Sequence, residues 1–234
     1  MKAFQLYKKL FSEYNTQNWW PVTEKNKTVP EYNTRNFLTE KQKLEVCFGA
    51  ILTQNTSWKN VEKAVIELNK KNLINPKKIS RIKKEELAKL IKSAGYFNQK
   101  AVYLKEFCRH LKKYDYSLNK FFSKEGIELR KELLSIKGIG KETADSILLY
   151  SAQKPFFVVD AYTKRILGRL NGTKENNYDS LQDFFHLNLK KDLQLFNEFH
   201  ALLVEHAKQF CQKKPLCKNC FLRKQCIFGK NNSF

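Results

Sequence analysis

The sequence predicts an all-α protein, on three observations. Apolar residues recur at spacings of three and four along most of the 234 residues, the period of a helix with one buried face. Thr39 with Gln42 forms a capping box ahead of the apolar run Leu44–Leu52, a helix-start signal. Only Phe156–Val159 reads as extended, and four residues do not make a sheet.

The stripes follow in chain order. Phe4, Tyr7, Leu10, Phe11 and Tyr14 open the chain. After the run 44–52 come Val61, Ala64, Val65 and Leu68, then Ile82, Leu87, Leu90 and Ile91. Ala101, Leu104, Cys108 and Leu111 make the next, and Leu133, Leu134 and Ile136 a shorter one. Ile147–Tyr150, Tyr162–Leu170, Leu181–Phe185 and Phe196–Leu203 complete the set. That is roughly ten helices of ordinary length. Residues 15–35 carry two of the five prolines and little periodicity, so they read as one long connection able to line a cleft. No repeat and no Gly/Ser linker marks a domain boundary.

Composition narrows the function. Lys and Arg number 44 against 23 Asp and Glu, a formal charge of +21, beyond what solubility asks for. Only seven of the 44 are Arg, and Lys richness also reflects genome composition, but that bias supplies Asp and Glu codons as well. A polyanion is the usual cause of such an excess, because each cation that neutralises a phosphate releases a counterion. With 42% hydrophobic and 13% aromatic residues the chain is not disordered. No apolar run approaches 18 residues, no amphipathic basic helix suits a lipid surface, and the N-terminus lacks a secretory pattern. A cytoplasmic, nucleoid-associated monomer without a membrane partner is expected.

Four features carry chemistry. Cys211, Cys217, Cys220 and Cys226 are spaced C-x5-C-x2-C-x5-C. Four thiols in 16 residues of a non-secreted protein point to a metal or cluster before disulfides. Zinc favours two separated CxxC knuckles, whereas one x2 pair between longer loops suits a [4Fe–4S] cubane better. From His206 to Phe234 there is no acidic residue, so this loop presents charge to phosphates. Cys47 and Cys108 fall on apolar stripes and read as core. Secondly, Lys137-Gly138-Ile139-Gly140-Lys141 separates two helical patterns. Such a hairpin lets backbone N–H groups approach a phosphate at a helix N-terminus, although a Gly-x-Gly also serves as a plain interhelical turn. Thirdly, Asp160 follows Val158-Val159 and precedes a helix. An N-cap is the bland reading, and a carboxylate returned to the hairpin's neighbourhood the sharper one. Lastly, Trp19-Trp20-Pro21 and Trp58 fall in irregular or helix-starting segments, as core residues or as a stacking pocket for a base.

In combination these residues resemble the helix-hairpin-helix DNA glycosylases of the endonuclease III superfamily. Leu-x-Gln-x-Thr around Gln54, Gly95-Tyr-Phe-Asn-x-Lys-Ala101, the hairpin 137–140, Val-Asp160 and the four-cysteine loop match in order over roughly residues 40–228. The first cysteine loop is one residue shorter than the family's usual x6. The resemblance implies a two-domain helical fold: a six-helix barrel over 32–151, with the hairpin motif at about 131–150, and a second domain of 1–31 with 152–234. It implies double-stranded DNA with a damaged base flipped into a cleft, a [4Fe–4S] cluster on the four cysteines, and Asp160 as the catalytic carboxylate. Lys137, Gly138, Ile139, Gly140 and Lys141 would bind DNA, and Gln54 would fill the gap left by the base.

One departure bears on the chemistry. Bifunctional members carry a Lys two residues after the second hairpin glycine, and it attacks C1′ to form a Schiff base. Here that position is Glu142. Lys141 is adjacent, but one helical step turns it about 100° away. The resemblance therefore implies a monofunctional glycosylase without lyase activity. Trp-Trp-Pro, Leu-Thr-Gln-Asn-Thr-x-Trp and Gly-Ile-Gly-Lys-Glu are most similar to the 3-methyladenine glycosylases of the group. A methylated adenine is cationic and leaves readily, so its site needs an electron-rich slot, with Trp19, Trp20, Pro21 and Trp58 as lining, and a carboxylate for the sugar cation. Glu142 near Asp160 would be a like-charge problem, which Lys208 is expected to relieve. The alternatives are an endonuclease III-type glycosylase/lyase on oxidised pyrimidines, a mismatch uracil or thymine glycosylase, and a DNA- or RNA-binding module without catalysis.

Overall fold

The computed structural model describes residues 1–32 and 37–231. Its elements are α1 (Ala3–Tyr14), β1 (Val22–Thr23), β2 (Pro30–Glu31), α2 (Glu40–Leu52), α3 (Trp58–Lys70), α4 (Pro76–Arg81), α5 (Lys84–Leu90), α6 (Phe97–His110), α7 (Leu118–Phe122), α8 (Gly126–Ser135), α9 (Lys141–Ser146), α10 (Ala161–Asn171), α11 (Tyr178–Asn188), α12 (Leu193–Gln209) and α13 (Ile227–Asn231). The thirteen helices among the described residues exceed the ten expected because α4, α7, α9 and α13 span five or six residues each, too few for a period to show. No helix among them is long and apolar enough to cross a membrane.

The chain divides into two compact units, Met1–Trp19 with Pro155–Phe234, and Trp20–Lys154. The first boundary therefore falls twelve residues before the 31/32 expected, and hydrogen bonds on either side explain it. The N–H groups of Gln17 and Asn18 donate to the Glu198 carboxylate of α12 at 2.8 and 3.3 Å, and Asn197 Nδ2 donates to Trp19 O. Four residues on, Thr23 N–H donates to Glu45 Oε1 of α2 at 2.7 Å, and Asn69 Nδ2 of α3 donates to Glu45 Oε2 at 2.8 Å. The connection is not irregular throughout, because β1 and β2 pair antiparallel with Val22 opposite Glu31. Two-residue strands carry no readable alternation. Residues 33–35 of that connection lie outside the described residues.

In the unit Trp20–Lys154, α2 is the central helix. Every residue from Leu44 to Leu52 is buried, Glu45 included, so this mostly apolar run reflects contact on all sides. The capping box is formed, with Thr39 Oγ1 accepting from Gln42 N–H and Gln42 Oε1 accepting from Thr39 N–H. At the other end, the buried Lys100 ammonium donates to Leu52 O and Ala94 O at 2.8 and 2.7 Å, satisfying a carbonyl that the helix end would orphan. Cys47 and Cys108 are fully buried, as their stripes imply. Helix α9 runs on into a wider π turn over Ile147–Ser151, all five residues buried.

In the other unit, α12 packs against α1 and α10. Its core is aromatic: Phe157 stacks on Phe185 at 3.6 Å and meets Phe196 and Phe199 edge-on. Residues 156–159 belong to no helix or strand. Instead, Phe157 N–H donates to His186 Nε2 and Phe157 O accepts from Gln182 Nε2. These side-chain bonds satisfy a buried backbone and fix where Asp160 emerges.

Candidate active site, hairpin and cysteine loop

Asp160 is 9% exposed and caps α10, its Oδ1 accepting from Thr163 N–H at 2.7 Å. His200 Nε2, from the middle of α12, lies 3.6 Å from the other oxygen, Oδ2. Burial pushes this carboxyl up, but the His200 ring and the Thr163 N–H outweigh it and hold Asp160 below its ordinary value. The result is a buried anion with one oxygen hydrogen-bonded to the start of α10 and the other beside an imidazole. The N-cap expectation holds, and capping orients the group.

The six residues expected around a base fall into three settings. Trp19 stands edge-on to His200, centroids 5.9 Å apart, and Lys208 Nζ lies 5.7 Å over the Trp19 ring. Trp20 belongs to the other unit and meets Trp58 at 5.5 Å and Tyr150 at 5.1 Å, both edge-on. A Cβ on Gly49 would stand 3.1 Å from Trp20 Nε1, so a glycine leaves room for that indole against α2. Pro21 is buried, while Glu142 is exposed in the first turn of α9.

The hairpin is held from both flanks. Gln54 Nε2 donates to Gly138 O at 2.8 Å and to Thr143 Oγ1 at 3.0 Å. Arg130 of α8 grips the wholly buried Asp145 of α9 through Nε and Nη2, at 2.6 and 2.9 Å. Gly138 has φ +91, and a Cβ there would fall 2.1 Å from the Tyr103 ring. Lys137, Gly140 and Lys141 are exposed. Ile139 is 5% exposed, and its N–H donates to Ile136 O. Its side chain is thus part of the core, and only the residues around it face outward.

The four C-terminal cysteines line one small cavity with His206, Phe210 and Leu222. Two arginines brace the loop: Arg165 Nε donates to Cys211 O, and Arg169 donates to Gln212 O and Lys213 O. Arg169 Nη1 is also 3.5 Å from Cys211 Sγ. Burial and the neighbouring thiols push Cys220 up to about 11. The described residues gather no group of three ligands for a single metal ion. Four soft donors around one cavity, flanked by guanidinium groups, fit a polynuclear anionic cluster.

The sequence reading missed His200, Tyr150, the Arg130–Asp145 pair and Arg169. His200 sits on an apolar helix stripe with no local signal. Tyr150 is aimed by the π turn, and π turns mark functional sites often but leave no spacing to read.

Comparison with known proteins places the chain in a family. The family described as HhH-GPD superfamily base excision DNA repair protein matches residues 48–190. A putative DNA repair glycosylase of Methanocaldococcus jannaschii is 43% identical over 228 residues, covering 96% of this chain and 95% of that protein. An endonuclease III of Thermotoga maritima is 30% identical over 190 residues, covering 81% and 84%. Among solved structures, an H. pylori 3-methyladenine DNA glycosylase bound to 1,N6-ethenoadenine is 31% identical with a TM-score of 0.74, covering 89% of this chain and 98% of that one. A family match over more than half the sequence, together with a 43% identical relative of nearly equal extent, settles the assignment: the chain belongs to the HhH-GPD superfamily of base excision DNA repair proteins.

Proposed function

We propose that this DNA glycosylase is monofunctional and hydrolyses the N-glycosidic bond of an alkylated purine, most simply 3-methyladenine, in double-stranded DNA. The observation that carries the reading is Asp160, a buried carboxylate held ionised and oriented by Thr163 and His200. As a leaving base departs, the sugar becomes cationic. A fixed anion stabilises that charge, and its less engaged oxygen, Oδ2, is available to take the proton of an attacking water. A base that is already cationic needs no acid on its far side, so one carboxylate suffices. Trp20, Trp58 and Tyr150 supply an electron-rich aromatic set of the kind that recognises a flat cation. The H. pylori relative's bound ethenoadenine is itself a modified purine. Glu142 supports the absence of lyase chemistry, because a carboxylate forms no Schiff base.

Lys137, Gly140 and Lys141 are the hairpin groups that would meet phosphate, at the N-terminus of α9. Gln54 would let go of Gly138 O to fill the duplex where the base has left. Cys211, Cys217, Cys220 and Cys226 would hold a [4Fe–4S] cluster, which when bound supplies a rigid cross-link for a loop that Arg165 and Arg169 already brace.

The test is base release from methylated duplex DNA, with the strand examined before and after hot alkali. Release of 3-methyladenine with nicking only after alkali supports the reading. Nicking without alkali favours the endonuclease III-type alternative, for which the exposed Lys141 beside Glu142 is the candidate amine. Release of no base would turn attention to another lesion or to a binding-only role.

A further inference from the structure

We propose that His200 is a positioning residue that fixes the second oxygen of Asp160 for the reaction, a role resting on the reading of Asp160 as the reacting carboxylate. Two elements divide the carboxylate between them: α10 takes Oδ1 through Thr163 N–H at 2.7 Å, and α12 places an imidazole nitrogen 3.6 Å from Oδ2. That gap closes to a hydrogen bond with a shift of about half an ångström. The imidazole is 4% exposed, so water does not compete for it freely.

The imidazole is itself held. Phe199, Ala201, Leu202 and Leu203 on either side of it are fully buried, which fixes the rotation of α12. Trp19 closes the approach edge-on, and Asn197, one turn earlier on the same helix, bonds Trp19 O at 3.1 Å. The Trp19 indole is covered in turn by Lys208. The series Lys208–Trp19–His200–Asp160 thus supports the carboxylate from behind, as groups around a reacting residue must if it is to hold its geometry.

The residue type suits the task. Lys or Arg would set a permanent cation against the anion that the sugar needs. An imidazole N–H orients Oδ2 without that permanent charge, and its planar ring packs against Trp19.

The experiment compares the wild type with His200→Gln, His200→Leu and Asp160→Asn. It measures the single-turnover excision rate on methylated duplex, the Kd for a duplex carrying a stable abasic analogue, and the melting temperature. Gln keeps an N–H at the reach of Nε2, and Leu removes it. His200→Leu is expected to slow excision on the order of 10- to 100-fold, the size of effect a misplaced reacting group gives, with Kd unchanged. His200→Gln is expected to recover most of the rate. Equal rates for Leu and wild type overturn the proposal. So do equal losses for Leu and Gln, which mark a space-filling role. If the Leu variant does not fold, His200→Asn replaces it, because its shorter amide falls short of Oδ2; an Asn variant as fast as the Gln variant then overturns the proposal. Wild-type excision by Asp160→Asn would instead remove the reading of Asp160, an outcome separate from failure of His200 alone.

Discussion

The side-chain amide of Gln54 donates to the carbonyl of Gly138 at 2.8 Å, tying the loop after α2 to the hairpin between α8 and α9. That bond accepts a backbone whose shape depends on glycine for two different reasons. Gly138 has φ +91 and is overlain by Tyr103, so Gly138→Ala combines a strained backbone with a ring clash. At Gly140 a Cβ would meet nothing within 4 Å. Gly138→Ala is therefore expected to lower both melting temperature and DNA affinity. Gly140→Ala is expected to leave melting unchanged and weaken DNA binding alone, because the added methyl matters only when a phosphate approaches. Thermal melting and DNA titration at fixed salt check both, and a Gly140→Ala protein with wild-type affinity would remove the hairpin from the phosphate contact.

Arg130 ties α8 to α9 across the hairpin. Asp145 is fully buried and receives two hydrogen bonds from the guanidinium, so Arg130→Met leaves a carboxylate without its cation. Loss of one partner from a buried pair costs roughly 3–5 kcal/mol. Urea denaturation of the variant is expected to show a loss of that order. Arg130→Met combined with Asp145→Leu should recover most of it, since the cost lies in the orphaned charge. A double variant as unstable as the single one would mean that packing, and not charge, is what Arg130 supplies.

Much of this architecture is legible in the sequence, and the rest is not, for physical reasons. The amphipathic helices, the capping box at Thr39 and the buried Cys47 and Cys108 could be read, because period and caps are local properties. Gly138 and Asp160 were found because glycine and an N-cap carboxylate announce a turn and a helix start. That the Ile139 side chain is buried, at 5% exposure, is not legible, because it depends on how the hairpin packs against its own helices. His200 is 40 residues from Asp160 in the sequence, and nothing near either residue announces the other. The split of Trp19 from Trp20 between two units depends on Glu198 and Glu45, carboxylates that hold neighbouring segments from distant helices.

Asp160 gives a pH prediction with a definite sign. Its carboxyl is held below the ordinary value, so the anion persists as pH falls, and the activity it supports is lost only on passing down through that lowered value. The unfolded chain titrates near ~3.9, so the stability this group adds is complete above that value and lost below it by the same route. The single-turnover excision rate is expected to show no Asp160 limb between pH 8 and 5, after subtraction of enzyme-free depurination. A wild-type acid limb centred above pH 5 would mean that the carboxyl is not held as the structure has it.

The cysteine loop makes a prediction independent of catalysis. Protein prepared without oxygen is expected to carry about four irons and four sulfides per chain and to absorb in the visible, as a [4Fe–4S] assignment requires. Cys217→Ser should lower both. Colourless wild-type protein with one bound zinc would replace the cluster by a single ion. Arg169→Ala removes a guanidinium from Cys211 Sγ and from two loop carbonyls. It is expected to hasten loss of the visible band in air, as bracing of the loop implies.

Glu142 provides the most direct test of the monofunctional reading. It is exposed in the first turn of α9, where a carboxylate favours the helix N-terminus by about 0.3–1 kcal/mol, so Glu142→Lys removes a small stabilising term and the fold should tolerate it. The new amine would occupy the position from which bifunctional relatives are expected to attack C1′. In the presence of borohydride, the wild type is expected to give no covalent protein–DNA adduct on an abasic duplex, and Glu142→Lys a measurable one. The yield should stay low, since an exposed lysine with a pKa near ~10.4 is mostly protonated at neutral pH. An adduct with the wild type that disappears in Lys141→Ala would assign lyase chemistry to Lys141 despite its rotation about the helix. No adduct with either protein would mean that residue 142 does not reach the sugar, and Glu142 would then have no bearing on lyase chemistry.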